Sequence, residues 1–179
     1  FNLTKMRSVL LIAMLVAAVY CHFDFTHHTN GHELSVSVKD EAKKIWVIFM
    51  ESNDPANKKT VDTNREVKAA IKQKLVNEDA YYTEIDFTQE KTKTDYKEFT
   101  DLIDFKDKAF DYLKEGPVVA LVHNKKGCWI YGHGIPSETV DIIHAFILQK
   151  EAGKNKSEAI SVGGASTHPS ASGSFGGGY

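Results

Sequence analysis

The sequence predicts an α/β domain, a central mixed β-sheet flanked by helices, with an extended N-terminal arm and a flexible Gly/Ser-rich C-terminal tail. Three observations carry that prediction. Ile45-Trp46-Val47-Ile48-Phe49-Met50 and Val118 to His123 (VVALVH) are unbroken apolar runs of strand length, which suit central strands covered on both faces. Val67, Ile71 and Leu75 recur at four-residue spacing and mark one buried stripe of a helix between them. Val140, Ile143, Phe146 and Ile147 mark a second such stripe after the last strand.

The chain of 179 residues has room for one ordinary domain plus tails, and 42% hydrophobic with 26% charged residues is the balance of a soluble globular protein. The formal net charge is −2, with acids and bases interspersed. No basic stripe offers a footprint for nucleic acid.

Phe1 to Lys5 precede Met6 and carry no fold argument. Arg7 then stands before an apolar run from Val9 to Val19, followed by small residues and a polar stretch from His22. That is the layout of a secretory signal peptide. The run is about half of the roughly 20 residues a membrane-spanning helix needs, so cleavage after Cys21 and no stable membrane anchor are expected. The mature chain then keeps one cysteine, Cys128, which is either buried, capped or joined to another chain.

Residues 22–33 read as a polar, His-rich arm, and 34–151 as the folded domain. Leu34, Val36 and Val38 alternate with serines and predict a first strand. After the run at 45–50, Asp54 is a favoured N-cap with Pro55 at the first helical position. Thr63 and Glu66 offer a second start, so either one helix fills 55–77 or a loop precedes a shorter one. Tyr81 to Thr88 alternates as a strand, and Tyr96, Phe99, Leu102 and Ile103 fit a helical face that Phe105, Phe110 and Leu113 extend. Gly116-Pro117 stops that region. Asn124-Lys125-Lys126-Gly127 predicts a four-residue hairpin turn with Gly127 at positive φ, and Cys128 to Gly132 is the return strand. Ser137 caps the last helix. Residues 152–179 are mostly Gly, Ser, Ala and His and bury too little to offset their ordering entropy.

The order strand, strand, helix, strand, helix, Gly-Pro, hairpin, helix resembles the thioredoxin-like superfamily. Gly116 to Gln149 (GPVVALVHNKKGCWIYGHGIPSETVDIIHAFILQ) is similar to the C-terminal third of a thioredoxin, and Ile45 to Leu75 to its central strand and active-site helix. The resemblance covers most of residues 34–150, with 96–115 longer than in a minimal thioredoxin. Registering Phe49 on the aromatic residue that ends the family's central strand puts Asp54-Pro55-Ala56-Asn57 where the family carries Cys-x-x-Cys. Disulfide exchange needs an attacking thiolate and a resolving thiol, and Asp54 and Asn57 supply neither. The resemblance therefore implies a redox-inactive member. It also places Pro117 on the family's cis-proline, and a cis Gly116–Pro117 bond is expected.

Other residues could carry chemistry. His22, His27, His28 and His32 are weak metal-ligand candidates, against the reading of a plain solvated arm, and no metal or other cofactor is expected. His123 and Cys128 should face each other across the hairpin, with His133 further along, which could activate the thiol but lacks an orienting group. Cys128 is instead assigned to packing or to an intermolecular disulfide. Asn155-Lys156-Ser157 is an N-glycosylation sequon. The leading expectation is a secreted, non-enzymatic binding or structural module, with protein partners that include copies of itself in an extracellular assembly. The alternatives are a lumenal chaperone resembling the inactive domains of protein disulfide isomerases, and a single-thiol redox protein using Cys128.

Overall fold

Strand β2 (Ile45–Glu51) is buried along its whole length, and the sheet is built outward from it. The computed structural model describes residues 23–124, 126–132, 135–151, 160–162 and 174–176. The elements in order are β1 (Phe23–Phe25), α1 (Gly31–Asp40), β2, α2 (Lys58–Lys74), β3 (Ala80–Asp86), α3 (Glu90–Asp95) and α4 (Lys97–Leu102). A 3-10 segment (Asp107–Lys114), β4 (Val118–His123), β5 (Lys126–Gly132) and α5 (Pro136–Glu151) follow. Two short strands, β6 (Ile160–Val162) and β7 (Ser174–Gly176), run along β5.

The main strands lie in the order β1-β3-β2-β4-β5. β1 and β2 are both parallel to β3, while β4 is antiparallel to β2 and to β5. The two apolar runs of the sequence thus pair directly, with Val47 opposite Leu121 and Phe49 opposite Val119. Alternation along them divides the core into two. Trp46, Ile48, Met50, Ala120 and Val122 pack with α1, α4 and the 3-10 segment, whereas Ile45, Val47, Phe49, Val119 and Leu121 pack with α2 and α5. The expected stripes are buried: Val67 and Ile71 from α2 with Leu75 at its C-terminal cap, and Val140, Ile143, Phe146 and Ile147 from α5. This α/β arrangement of a mixed sheet flanked by helices is compatible with a thioredoxin-like fold. No helix among the described residues is long and apolar enough to cross a membrane.

Several local expectations are corrected. Leu34 and Val38 belong to helix α1, not to a strand; they lie one turn apart and face the sheet, while Val36 is exposed. The helix starts there because Asn30 accepts from the Glu33 amide at 3.0 Å and the Glu33 carboxylate accepts from the Thr29 amide at 2.8 Å, a reciprocal cap. Residues 23–33, expected as an arm, carry β1 and the start of α1, with the Phe23 side chain buried. Helix α2 is capped by Asn57 rather than Asp54, and Thr63 lies inside it. The β4–β5 turn is tighter than four residues: His123 pairs with Lys126, Asn124 takes the positive φ of 50°, and Gly127 belongs to β5. Residues 1–22, where the signal peptide is expected, His133 and Asn155 lie outside the described residues.

Candidate functional site

The parallel strands β2 and β3 end side by side, and the loops that follow them enclose a cleft of about 280 Å³. Ligands of open α/β sheets bind at such carboxyl ends. The β2 loop is fixed by its neighbours. The Asn53 amide donates to Thr88 Oγ1 at 2.6 Å and its side chain to Asp86 Oδ2 at 3.1 Å, while Asn64 Nδ2 donates to the Ser52 carbonyl at 2.9 Å. Burial raises the Asp86 pKa, but hydrogen bonds from Thr88 and Asn53 outweigh it and hold the carboxyl below its ordinary value.

Asp54 closes a turn over 54–57: its Oδ1 accepts from the Ala56 amide and its carbonyl from the Asn57 amide, both at 2.9 Å. Asn57 then caps α2 through the Thr60 amide and donates its Nδ2 to the carbonyl of Lys114 at 2.8 Å. The Thr60 hydroxyl donates to the same carbonyl at 2.7 Å. These two bonds fasten the start of α2 to the end of the 3-10 segment, three residues before Pro117. The cis expectation fails, since no described peptide bond is cis. Pro117 is buried and leads directly into β4.

Phe87, Phe110 and Leu113 form the apolar part of the cleft, with Asp54, Glu90, Lys93 and Asp107 around it. A second hollow of about 710 Å³ adjoins it and shares Glu90, Lys93, Asp107 and Phe110. The stretch 96–115 thus supplies a wall of both. Sequence reasoning missed Phe87, Phe110 and Lys93 as lining residues, because they stand on three separate segments, just after β3, on α3 and on the 3-10 segment, that only the fold brings round one cleft.

The thiol is elsewhere. Cys128 stands opposite Leu121, which pairs with Val47, four residues or about 13 Å before the end of β2. It is 2% exposed beneath α5, and burial pushes its pKa up to about 12. A bridge to another chain needs that side chain to leave the core. Nor is His123 its cross-strand partner: His123 faces Lys126 and accepts from Asn124 Nδ2.

The histidines do not converge. His28 lies between Ser37 and Thr83, His32 contacts Glu98 Oε2 at 2.9 Å, His27 is exposed, and His22 lies outside the described residues. Among the described residues no group of three or more His, Cys, Asp or Glu is placed to hold a metal ion.

No protein-family model matches this chain, and no curated protein matches it. The reading of the site therefore rests on its own geometry.

Proposed function

We propose that this chain is a secreted, non-enzymatic member of the thioredoxin-like superfamily, a binding or structural module that has no part in disulfide exchange. One observation carries the reading. At the turn that opens α2, where the superfamily keeps its two sulfurs, Asp54 and Asn57 offer a carboxylate and an amide, and both are engaged in holding the turn and the helix. A carboxylate there cannot attack a disulfide, and an amide cannot resolve a mixed one. The strand order β1-β3-β2-β4-β5 supports the superfamily assignment.

The burial of Cys128 weighs against the single-thiol alternative, because the neutral thiol is a poor nucleophile and a raised pKa keeps it neutral. It also moves the self-assembly reading away from disulfide bridging, toward non-covalent association. The chaperone alternative finds little apolar surface in the adjoining hollows, where Phe87, Phe105, Phe110 and Leu113 stand among mainly charged and polar side chains.

One assay separates the readings. Insulin is incubated with dithiothreitol and the purified chain, and turbidity is followed. The proposal expects the onset given by dithiothreitol alone; a faster onset overturns it. Suppressed turbidity at an unchanged reduction rate identifies the chaperone. N-terminal sequencing of the chain released by a secreting host tests cleavage after Cys21.

A further inference from the structure

His28 joins three elements through one ring. It lies in the link between β1 and α1, with Nε2 3.2 Å from Ser37 Oγ on α1 and Nδ1 3.4 Å from Thr83 Oγ1 on β3. Its ring centroid is 5.8 Å from that of Trp46 on β2, and its carbonyl accepts from the Tyr96 hydroxyl between α3 and α4. The same link is fastened to β3 by the Thr26 amide, which donates to the Tyr82 carbonyl at 2.8 Å.

Counting protons shows which form of the ring fits. A neutral imidazole donates from one nitrogen and accepts at the other. Thr83 is 2% exposed, and His28 is the hydrogen-bond partner shown for its hydroxyl among the described residues. The arrangement that leaves no buried donor orphaned has Thr83 donating to Nδ1 and Nε2–H donating to Ser37. Ser37 can turn its own proton to a carbonyl of its helix. A second proton on the ring puts an N–H against the Thr83 O–H, and that buried hydroxyl is then left with no acceptor shown among the described residues.

The charges around the ring do not compensate. Glu33 on α1 attracts a proton to His28, but its carboxylate is held by the Thr29 amide and hydroxyl and forms no ion pair with the ring. His27 on the same link repels one. Ser37, Thr83, Trp46 and the Tyr96 phenol bring no negative charge. The Trp46 indole attracts a cation. Burial, the largest influence, outweighs the pull of Glu33 and, with His27, holds the His28 pKa below its ordinary value.

We propose that His28 is an acid-operated latch: a proton on its ring lifts the link off Thr83 and frees the three-residue strand β1 from the edge of β3. β1 is three residues long and lies at the edge of the main sheet, and its release breaks the short ladder to β3 and exposes the buried Phe23 ring. Release uncovers the edge of β3 and the buried side of Phe23. This device does not depend on the redox-silent reading.

The test follows the His28 ring by NMR in the full chain from about pH 7.5 to about pH 4.5, with amide exchange measured in parallel. His28 is expected to titrate below the ordinary value of 6.5. The Thr26 amide should lose about tenfold in protection as it does so, corrected for intrinsic exchange, while the β2–β4 ladder keeps its protection. In His28→Gln, which stays neutral, Thr26 protection should not change with pH. A His28 midpoint at or above 6.5 overturns the latch, as does the same acid loss at Thr26 in His28→Gln. If the variant does not fold, the wild-type midpoint and the Thr26 protection decide the matter.

Discussion

The side-chain amide of Asn57 donates to the backbone carbonyl of Lys114 at 2.8 Å, so the residue that caps α2 also ties that helix to the segment leading into β4. Thr60 repeats the bond one turn on. Thr60→Val keeps the volume and removes one bond, at a cost of about 1 kcal/mol. Asn57→Ala removes a bond and the cap together and costs about 2 kcal/mol. Urea unfolding should show both as lowered midpoints with an unchanged slope. Equal midpoints for wild type and Asn57→Ala would mean that the clamp contributes nothing.

Asp54 and Asn57 stand at the two ends of one turn. Its closing hydrogen bond, from the Asn57 amide to the Asp54 carbonyl, brings the two Cα atoms within about 7 Å, near the range a disulfide spans. Asp54→Cys combined with Asn57→Cys should therefore form an internal bridge in an oxidising buffer and gain turnover in the insulin assay. Peptide mapping without reductant reads the bridge. A pair that stays reduced, or bridges only between chains, refutes the registration of these residues on Cys-x-x-Cys.

Glu84 sits between Lys72, at 2.6 Å, and Lys68, at 3.1 Å, and Lys68 also pairs with the buried Glu51. Burial raises the Glu84 pKa, but the hydrogen bonds and charges of the two lysines outweigh it and hold the carboxyl below its ordinary value of 4.5. A carboxyl with a lowered folded-state pKa contributes stability that is present above the unfolded value and lost as pH falls through the folded one. Unfolding midpoints should thus decline below about pH 4.5 in wild type. Glu84→Gln should be less stable at neutral pH and show a shallower acid decline. An acid decline as steep in the variant as in wild type would assign it to other carboxyls.

Gly31 opens α1 against the backbone of Tyr96. A Cβ added there would lie 2.7 Å from Tyr96 Cα and 2.8 Å from its carbonyl carbon. Helix propensity alone says that Gly31→Ala is stabilising by up to about 1 kcal/mol. The clash is with backbone, which cannot turn aside, so the expected outcome is a loss of about 1–3 kcal/mol. Thermal and urea unfolding of the variant decide the sign.

What was legible in the sequence follows from how many residues spoke for each element. The strands expected at 45–50, 81–88 and 118–123, found at Ile45–Glu51, Ala80–Asp86 and Val118–His123, and the stripes of α2 and α5 are long enough that their periods are unambiguous. Leu34, Val36 and Val38 were too few. A spacing of two over five residues contains a spacing of four, and Leu34 with Val38 is the pair that counts. The signal that decides it, Asn30 followed by Glu33, was present but hidden among histidines. Similarly, Asp54 and Asn57 are both good caps, and only the seat of Asn57 on Lys114 selects the second.

By itself the sequence determined the class of the fold, the two apolar strands at its centre, and the absence of sulfur at residues 54 and 57. Those are matters of composition and short-range period, which each segment carries alone. Only the tertiary structure decided that Cys128 is out of reach, that His28 lies between a serine and a threonine, and that Phe87 and Phe110 share a cleft. Each of these depends on groups far apart in the chain, and no segment can encode locally which distant atoms will surround it.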